Sequence, residues 1–135
     1  MTARFTRSFT ASPEHIDELG HVNNTVWLTW VQDIATAHWN AVAAPEHIAR
    51  YVWVVTRHEI DYRGNVGLGE TVSAETWIPA PPRGAQFERS VEFRDAAGKR
   101  LVAVRSTWAM LDKTSGRLVR VPAEVAMPFM PAPDE

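Results

Sequence analysis

Apolar residues recur at two different periods in this chain, and the change from one to the other limits the fold more than composition does. Between Asn24 and Ala41, the residues Trp27, Trp30, Val31, Ile34 and His38 fall three or four positions apart, and Ala35, Ala37 and Ala41 add helix propensity. This spacing predicts one long helix that begins at Asn23 or Asn24. Small or apolar residues on several of its faces predict that protein surrounds most of it. After Arg50 the period drops to two. "YVWVVTRHEIDY", "ETVSAETWIPA", "QFERSVEFRD" and "RLVAVRSTWAMLD" are each long enough for a strand and rich in Val, Thr and aromatic residues. Ahead of the helix "RFTRSFTA" alternates in the same way until Ser12-Pro13 breaks it, and "PEHIAR" adds a helical turn after it. Turns are expected over 64–69, over 81–84 and in "DAAGK", the last a short Gly-containing loop suited to an antiparallel hairpin. One strand, one helix, then four strands is an α+β order, in which a mainly antiparallel sheet covers one helix.

A length of 135 residues suits one domain with one core. Without a repeat or linker to divide the chain, a single domain over 1–135 is expected, with the Pro-containing tail from about 128 to 135 loosely held. The formal net charge of −2 offers no basic surface for nucleic acid or anionic membrane, so neither partner is expected. Zero cysteines exclude a disulfide framework, a thiol nucleophile and a thiolate metal site. The opening "MTARFTRSFTAS" lacks the apolar core of a signal peptide, and no stretch reaches bilayer-spanning length, so a cytoplasmic protein is expected.

The polar residues are not spread evenly. "HIDELGHVNN", His15 to Asn24, gathers acids, imidazoles, amides and a glycine just before the helix. Capping a helix needs one side-chain oxygen, so most of these groups are free for other work. Elsewhere the residues read plainly. His15, His38, His47 and His58 lack ligand spacing, and no metal is expected. "GNVGLGE" has no Lys-Ser/Thr and no strand-loop-helix setting, so it reads as a turn rather than a phosphate loop. Arg83, Arg89, Arg94 and Arg105 read as solvated arginines, and Asp33 as a solvated charge on the helix. The six tryptophans, Trp27, Trp30 and Trp77 among them, read as core or interface packing.

Three segments, "DELGHVNNTVWLTW", "EIDYRGNVGLGETV" and "GKRLVAVRSTWAMLDKTSGRLVRVP", resemble in order the signatures of hotdog-fold acyl-CoA thioesterases of the 4-hydroxybenzoyl-CoA thioesterase superfamily. The resemblance is nearest to bacterial long-chain acyl-CoA thioesterases and plant acyl-acyl-carrier-protein thioesterases, whose loops share an acid, His-Val-Asn-Asn and an aromatic-Leu pair. It implies a hotdog fold, with an antiparallel sheet wrapped around one long helix. It also implies a homodimer or homotetramer with active sites at the protomer interface, and hydrolysis of an acyl-CoA or acyl carrier protein thioester without a bound cofactor. Coenzyme A then belongs to the substrate.

On this resemblance Asp17 is the catalytic carboxylate, which either attacks the thioester carbonyl or activates a water. No strong general acid is needed, because a thiolate of pKa roughly 8.5, by analogy with cysteine, leaves readily. The charge growing on the carbonyl oxygen does need a donor. The helix N-terminus supplies unpaired N–H groups, and the backbone N–H near Asn24 is the expected one. His21 is open to three uses: base, orienter of Asp17 or substrate, and hydrogen-bonded structural side chain. Gly20 lets the loop turn, and Asn23 caps the helix or shapes the pocket together with Trp27. Leu19 stands where plant members carry an Asn, which breaks their Asp-Asn-His network. Two other functions fit the same frame: a hydratase or dehydratase acting on an enoyl or hydroxyacyl thioester, and a non-catalytic acyl-thioester binder.

Overall fold

The order of elements follows the change of period. In the computed structural model, which describes residues 4–130, strand β1 (Phe5–Thr10) leads to helix α1 (Asn24–Val42) and the short α2 (Pro45–Arg50). Strands β2 (Tyr51–Tyr62), β3 (Thr71–Trp77), β4 (Gln86–Arg94) and β5 (Arg100–Asp112) follow, then a helical turn α3 (Ala123–Ala126). All pairings are antiparallel, in the order β1-β3-β4-β5-β2. The sheet thus has β1 at one edge and β2, its second longest strand, at the other. This is the α+β hotdog architecture expected from the sequence.

Local chemistry sets the element ends. The Asn23 side chain accepts from the backbone N–H of Thr25 at 3.0 Å, and so caps α1 at its first turn. At the other end Ala43 and Ala44 are extended ahead of Pro45, whose ring disfavours a helical residue before it. Between β4 and β5, the Asp95 side chain accepts from Ala97 and Lys99 N–H, and Gly98 takes φ +86°, which closes the expected hairpin.

Helix α1 packs by one face only. Its buried residues Trp27, Trp30, Val31, Ile34, Ala35 and His38 form one stripe, while Thr25, Thr29, Gln32, Asp33 and Thr36 are exposed. The expectation that protein surrounds most of the helix therefore does not hold within one chain, because a single curved sheet covers only one side. Opposite the stripe, β3 presents Val72, Ala74 and Thr76, β4 Phe87, Arg89, Val91 and Phe93, and β5 Val102, Val104 and Ser106. Trp27 and Phe93 meet edge to face at 5.1 Å, Trp27 and Trp30 do so at 5.2 Å, and Phe9 stacks on Trp30.

Two expectations need correcting here. Arg89 is not solvated: it occupies an inward position of β4 between Phe87 and Val91 and keeps 7 % of its surface exposed. The tail is not loose from 128, because Phe129 is buried against α1 aromatics, stacking on Trp39 and meeting His38 edge to face. Residues 131–135 of that expected tail lie outside the described residues. Among the described residues no helix is long and apolar enough to cross a membrane.

Phe93→Ala removes the ring shared by Phe9, Trp27 and Trp30. Chemical denaturation should show a loss of about 3–5 kcal/mol in unfolding free energy.

Candidate active site

The segment between β1 and α1 doubles back on itself. Ile16 and Val22 form an isolated antiparallel bridge, the Asp17 N–H donates to His21 O at 2.9 Å, and the Gly20 N–H donates to Asp17 O at 3.1 Å. Gly20 takes φ +78°, a left-handed conformation that side-chain-bearing residues adopt at a cost. At the base of this small hairpin, one oxygen of the Asp17 carboxylate accepts from Leu19 N–H at 2.9 Å and His21 N–H at 3.2 Å. The other, Oδ2, has no partner among the described residues. The hairpin then runs directly into the α1 cap. Asn24 is the first helical residue, and its N–H has no acceptor within the helix or elsewhere among the described residues.

A second loop holds the hairpin in place. Asn65 accepts from Val22 N–H at 3.1 Å and donates to Val22 O at 3.1 Å, while its own loop is closed by Val66 N–H at 2.8 Å. A side chain on Gly67 would stand 3.3 Å from Gly20 O, so the two loops approach as closely as a glycine allows. The Tyr62 hydroxyl donates to Asn24 O at 3.3 Å. "GNVGLGE" is a turn, as expected, but its asparagine also fastens the loop that bears Asp17. An amide flanked by Gly64 on one side and the Gly67–Gly69 turn on the other was the available signal for this.

The expected site residues separate accordingly. Asp17, Gly20, His21, Asn23 and Asn24 come together at the N-terminus of α1, all exposed except the half-buried Asp17. Asp17 and His21 are joined through the His21 backbone, and the His21 imidazole bonds to no described residue. Trp27 does not belong with them. It is fully buried between Trp30 and Phe93, in the core beneath the helix N-terminus. Among the described residues no group of three or more His, Asp or Glu side chains is arranged to hold a metal ion.

A cavity of about 210 Å³ lies near the opposite end of α1, walled by Trp39, Tyr51, Trp53, Phe87, Trp108 and Phe129, with Arg89 among its lining residues. At 1.5 Å per residue, the fifteen steps from Asn24 to Trp39 make about 22 Å along the helix, so one chain holds the hairpin and the cavity well apart. Inside, Arg89 Nη1 donates to His38 Nδ1 and to Thr76 Oγ1, both at 2.9 Å. A guanidinium can only donate, so His38 carries its proton on Nε2 and is neutral. Burial, and then the neighbouring Arg89 charge, push the His38 pKa down to about 4. Burial lowers Arg89 to about 10, which leaves it charged at neutral pH.

The five-stranded antiparallel sheet wrapped on a single helix is the hotdog fold of its thioesterase structural neighbours. The chain belongs to the family described as the acyl-ACP thioesterase N-terminal domain, whose model matches residues 2–129. It is similar to a chloroplastic acyl-[acyl-carrier-protein] hydrolase of Cuphea viscosissima, 26% identical over 80 residues, covering 59% of this chain and 19% of that one. It thus spans about a fifth of the length of the curated relatives it matches. Among solved structures, an acyl-ACP thioesterase from Bacteroides thetaiotaomicron is 23% identical at a TM-score of 0.81, over 98% of this chain and 56% of that one. A predicted thioesterase from Bacillus stearothermophilus is 22% identical at 0.81, over 93% of each chain.

The depressed His38 pKa has a consequence for stability. A histidine whose folded pKa lies below its unfolded value of 6.5 stabilises fully above that value, and the contribution is lost as pH falls toward about 4. His58, lowered by burial, adds to the same slope. Unfolding free energy measured between pH 7 and 4 should therefore decline, and His38→Gln should flatten the decline, leaving the part due to His58 and, toward the acid end, to the lowered carboxyls of Glu14 and Asp112.

Proposed function

We propose that this protein is a thioesterase that hydrolyses an acyl-CoA or acyl carrier protein thioester to a free acid and a thiol. The observation that carries the reading is a half-buried carboxylate with one unengaged oxygen, fixed beside a helix N-terminus whose first N–H has no acceptor. Asp17 Oδ2 either attacks the thioester carbonyl carbon or takes a proton from a water that does. The carbonyl oxygen gathers negative charge and receives the Asn24 N–H, aided by the positive end of α1. The carbon–sulfur bond then breaks, the thiolate leaves and takes up a proton, and the acid is released. If Asp17 attacks directly, water must then hydrolyse the anhydride it forms. His21, with its imidazole unengaged, and Asn23, which holds the helix cap, border the reacting carbonyl, and Gly20 keeps the hairpin tight enough to present it.

The reading requires a dimer. Strand β2 is an edge strand of 12 residues, with Val52 and Val54 exposed, and an edge of this kind calls for a partner. Around the hairpin, Leu19 is 80% exposed and Leu68 61%, an apolar rim also suited to being covered. Antiparallel pairing of two β2 strands about a two-fold axis sets the Tyr62 end of one protomer against the Tyr51 end of its partner. Tyr62 lies at the hairpin, and Tyr51 lines the aromatic cavity. The hairpin of one protomer then adjoins the cavity of the other, and the separation of about 22 Å within each chain is bridged.

Asp17→Asn keeps an oxygen for the Leu19 and His21 N–H groups but removes the charge. Thiol release from acyl-CoA should fall about 10²-fold or more in kcat, at least about 2.7 kcal/mol of barrier, with thermal unfolding close to the parent protein. A folded variant with ordinary turnover would remove Asp17 from the chemistry. Sedimentation at micromolar concentration should show a dimer or a larger closed assembly, and a stable monomer there would overturn the composite site.

A further inference from the structure

The aromatic cavity has an unbalanced chemistry. Among the described residues its lining contains no Asp or Glu, yet Arg89 and Lys113 both contribute to it, and the Lys113 ammonium is engaged with Ile48 O at 2.9 Å. Arg89 is the buried one. A guanidinium has five N–H groups, and the two on Nη1 are used by His38 and Thr76. The Nε–H and both Nη2–H groups have no acceptor among the described residues, and neither His38 nor Thr76 can neutralise the charge, since the first is a neutral imidazole and the second a hydroxyl. An arginine taken out of water without a counter-anion is costly to the fold unless something supplies one. The Nε/Nη2 edge left open has the fork geometry that a carboxylate accepts through both oxygens.

We propose that Arg89 is a specificity residue that selects acyl groups ending in a carboxylate. The chain of an ω-carboxyacyl thioester lies along the aromatic walls, and its distal carboxylate receives the open edge of Arg89. The inference rests on the thioesterase reading and adds the substrate class to it. His38 and Thr76 hold the guanidinium in place, with Phe5 and Phe129 packed on the imidazole, so the donor edge is set before a ligand arrives.

The test compares kcat/KM for suberoyl-CoA and octanoyl-CoA, which have equal chain length and differ in a terminal carboxylate against a methyl. The parent protein should prefer suberoyl-CoA at least about tenfold. Arg89→Met should abolish or invert that preference, and Arg89→Lys, which keeps the charge without the fork, should fall between them. Equal use of both substrates by the parent, or an unchanged ratio in Arg89→Met, overturns the proposal. Calorimetric binding of hexanoate against hexanamide provides an arm independent of hydrolysis and of variant folding. The parent should bind the carboxylate at least about tenfold more tightly, and equal binding counts against Arg89. If no thioester yields thiol while hexanoate is still preferred, the thioesterase reading falls and the carboxylate site stands.

Discussion

The architecture hangs on the contact of Trp27 and Trp30 with Phe93. Two indoles one helical turn apart, set edge to face with each other, straddle a phenyl ring from the middle of the sheet, and Phe9 on β1 closes the group. Rings of this size leave a helix little freedom to slide or rotate, because shifting it by one residue moves both indoles off the phenyl at once. The direction and register of α1 are therefore fixed early in its length. The two candidate sites are then hung on its ends: the capped N-terminus with the acid hairpin at one, the aromatic cavity at the other.

The parts legible in the sequence were those that depend on local or periodic rules. The 3.6-residue spacing located α1, period two located the strands, and the Asn pair marked where the helix begins. The crowding of "HIDELGHVNN" stood out as more than capping requires, and five of its residues gather at the helix N-terminus. What could not be read depends on three-dimensional closure. Trp27 lies only three residues beyond Asn24, but a helix turns that side chain toward the sheet while the first residue faces outward, a separation that nearness in sequence does not report. Arg89 interrupts an apolar alternation, Phe87-Arg89-Val91-Phe93, in a way that could have marked it as inward-facing. A general expectation about solvated arginine outweighed that pattern. Asn65 bonds to a backbone 43 residues away, which no local rule reaches.

Each end of α1 also uses polar groups differently. At the N-terminus the polar groups are mostly exposed, and backbone N–H groups engage one Asp17 oxygen and the Asn23 oxygen while Asp17 Oδ2, the His21 imidazole and the Asn24 N–H stay open. At the other end a single buried charge, Arg89, is enclosed among rings, with a neutral imidazole and a hydroxyl as its partners among the described residues. A structure that keeps a charge in such surroundings gives up stability relative to an apolar replacement of similar volume. Retaining it is more readily explained by something that enters the cavity than by the fold itself.

The bracing of Asp17 by the Leu19 and His21 amides has a further consequence. The acid is oriented by peptide groups, not by side chains, so its direction is set by the backbone of its own hairpin. Position 19 contributes its N–H inward and its side chain outward. Any residue other than proline can serve the carboxylate there, and the outward side chain is left free to diverge to suit whatever surface covers the hairpin. An evolving family could thus retune the surface at this position while the direction of the Asp17 carboxylate stayed constant.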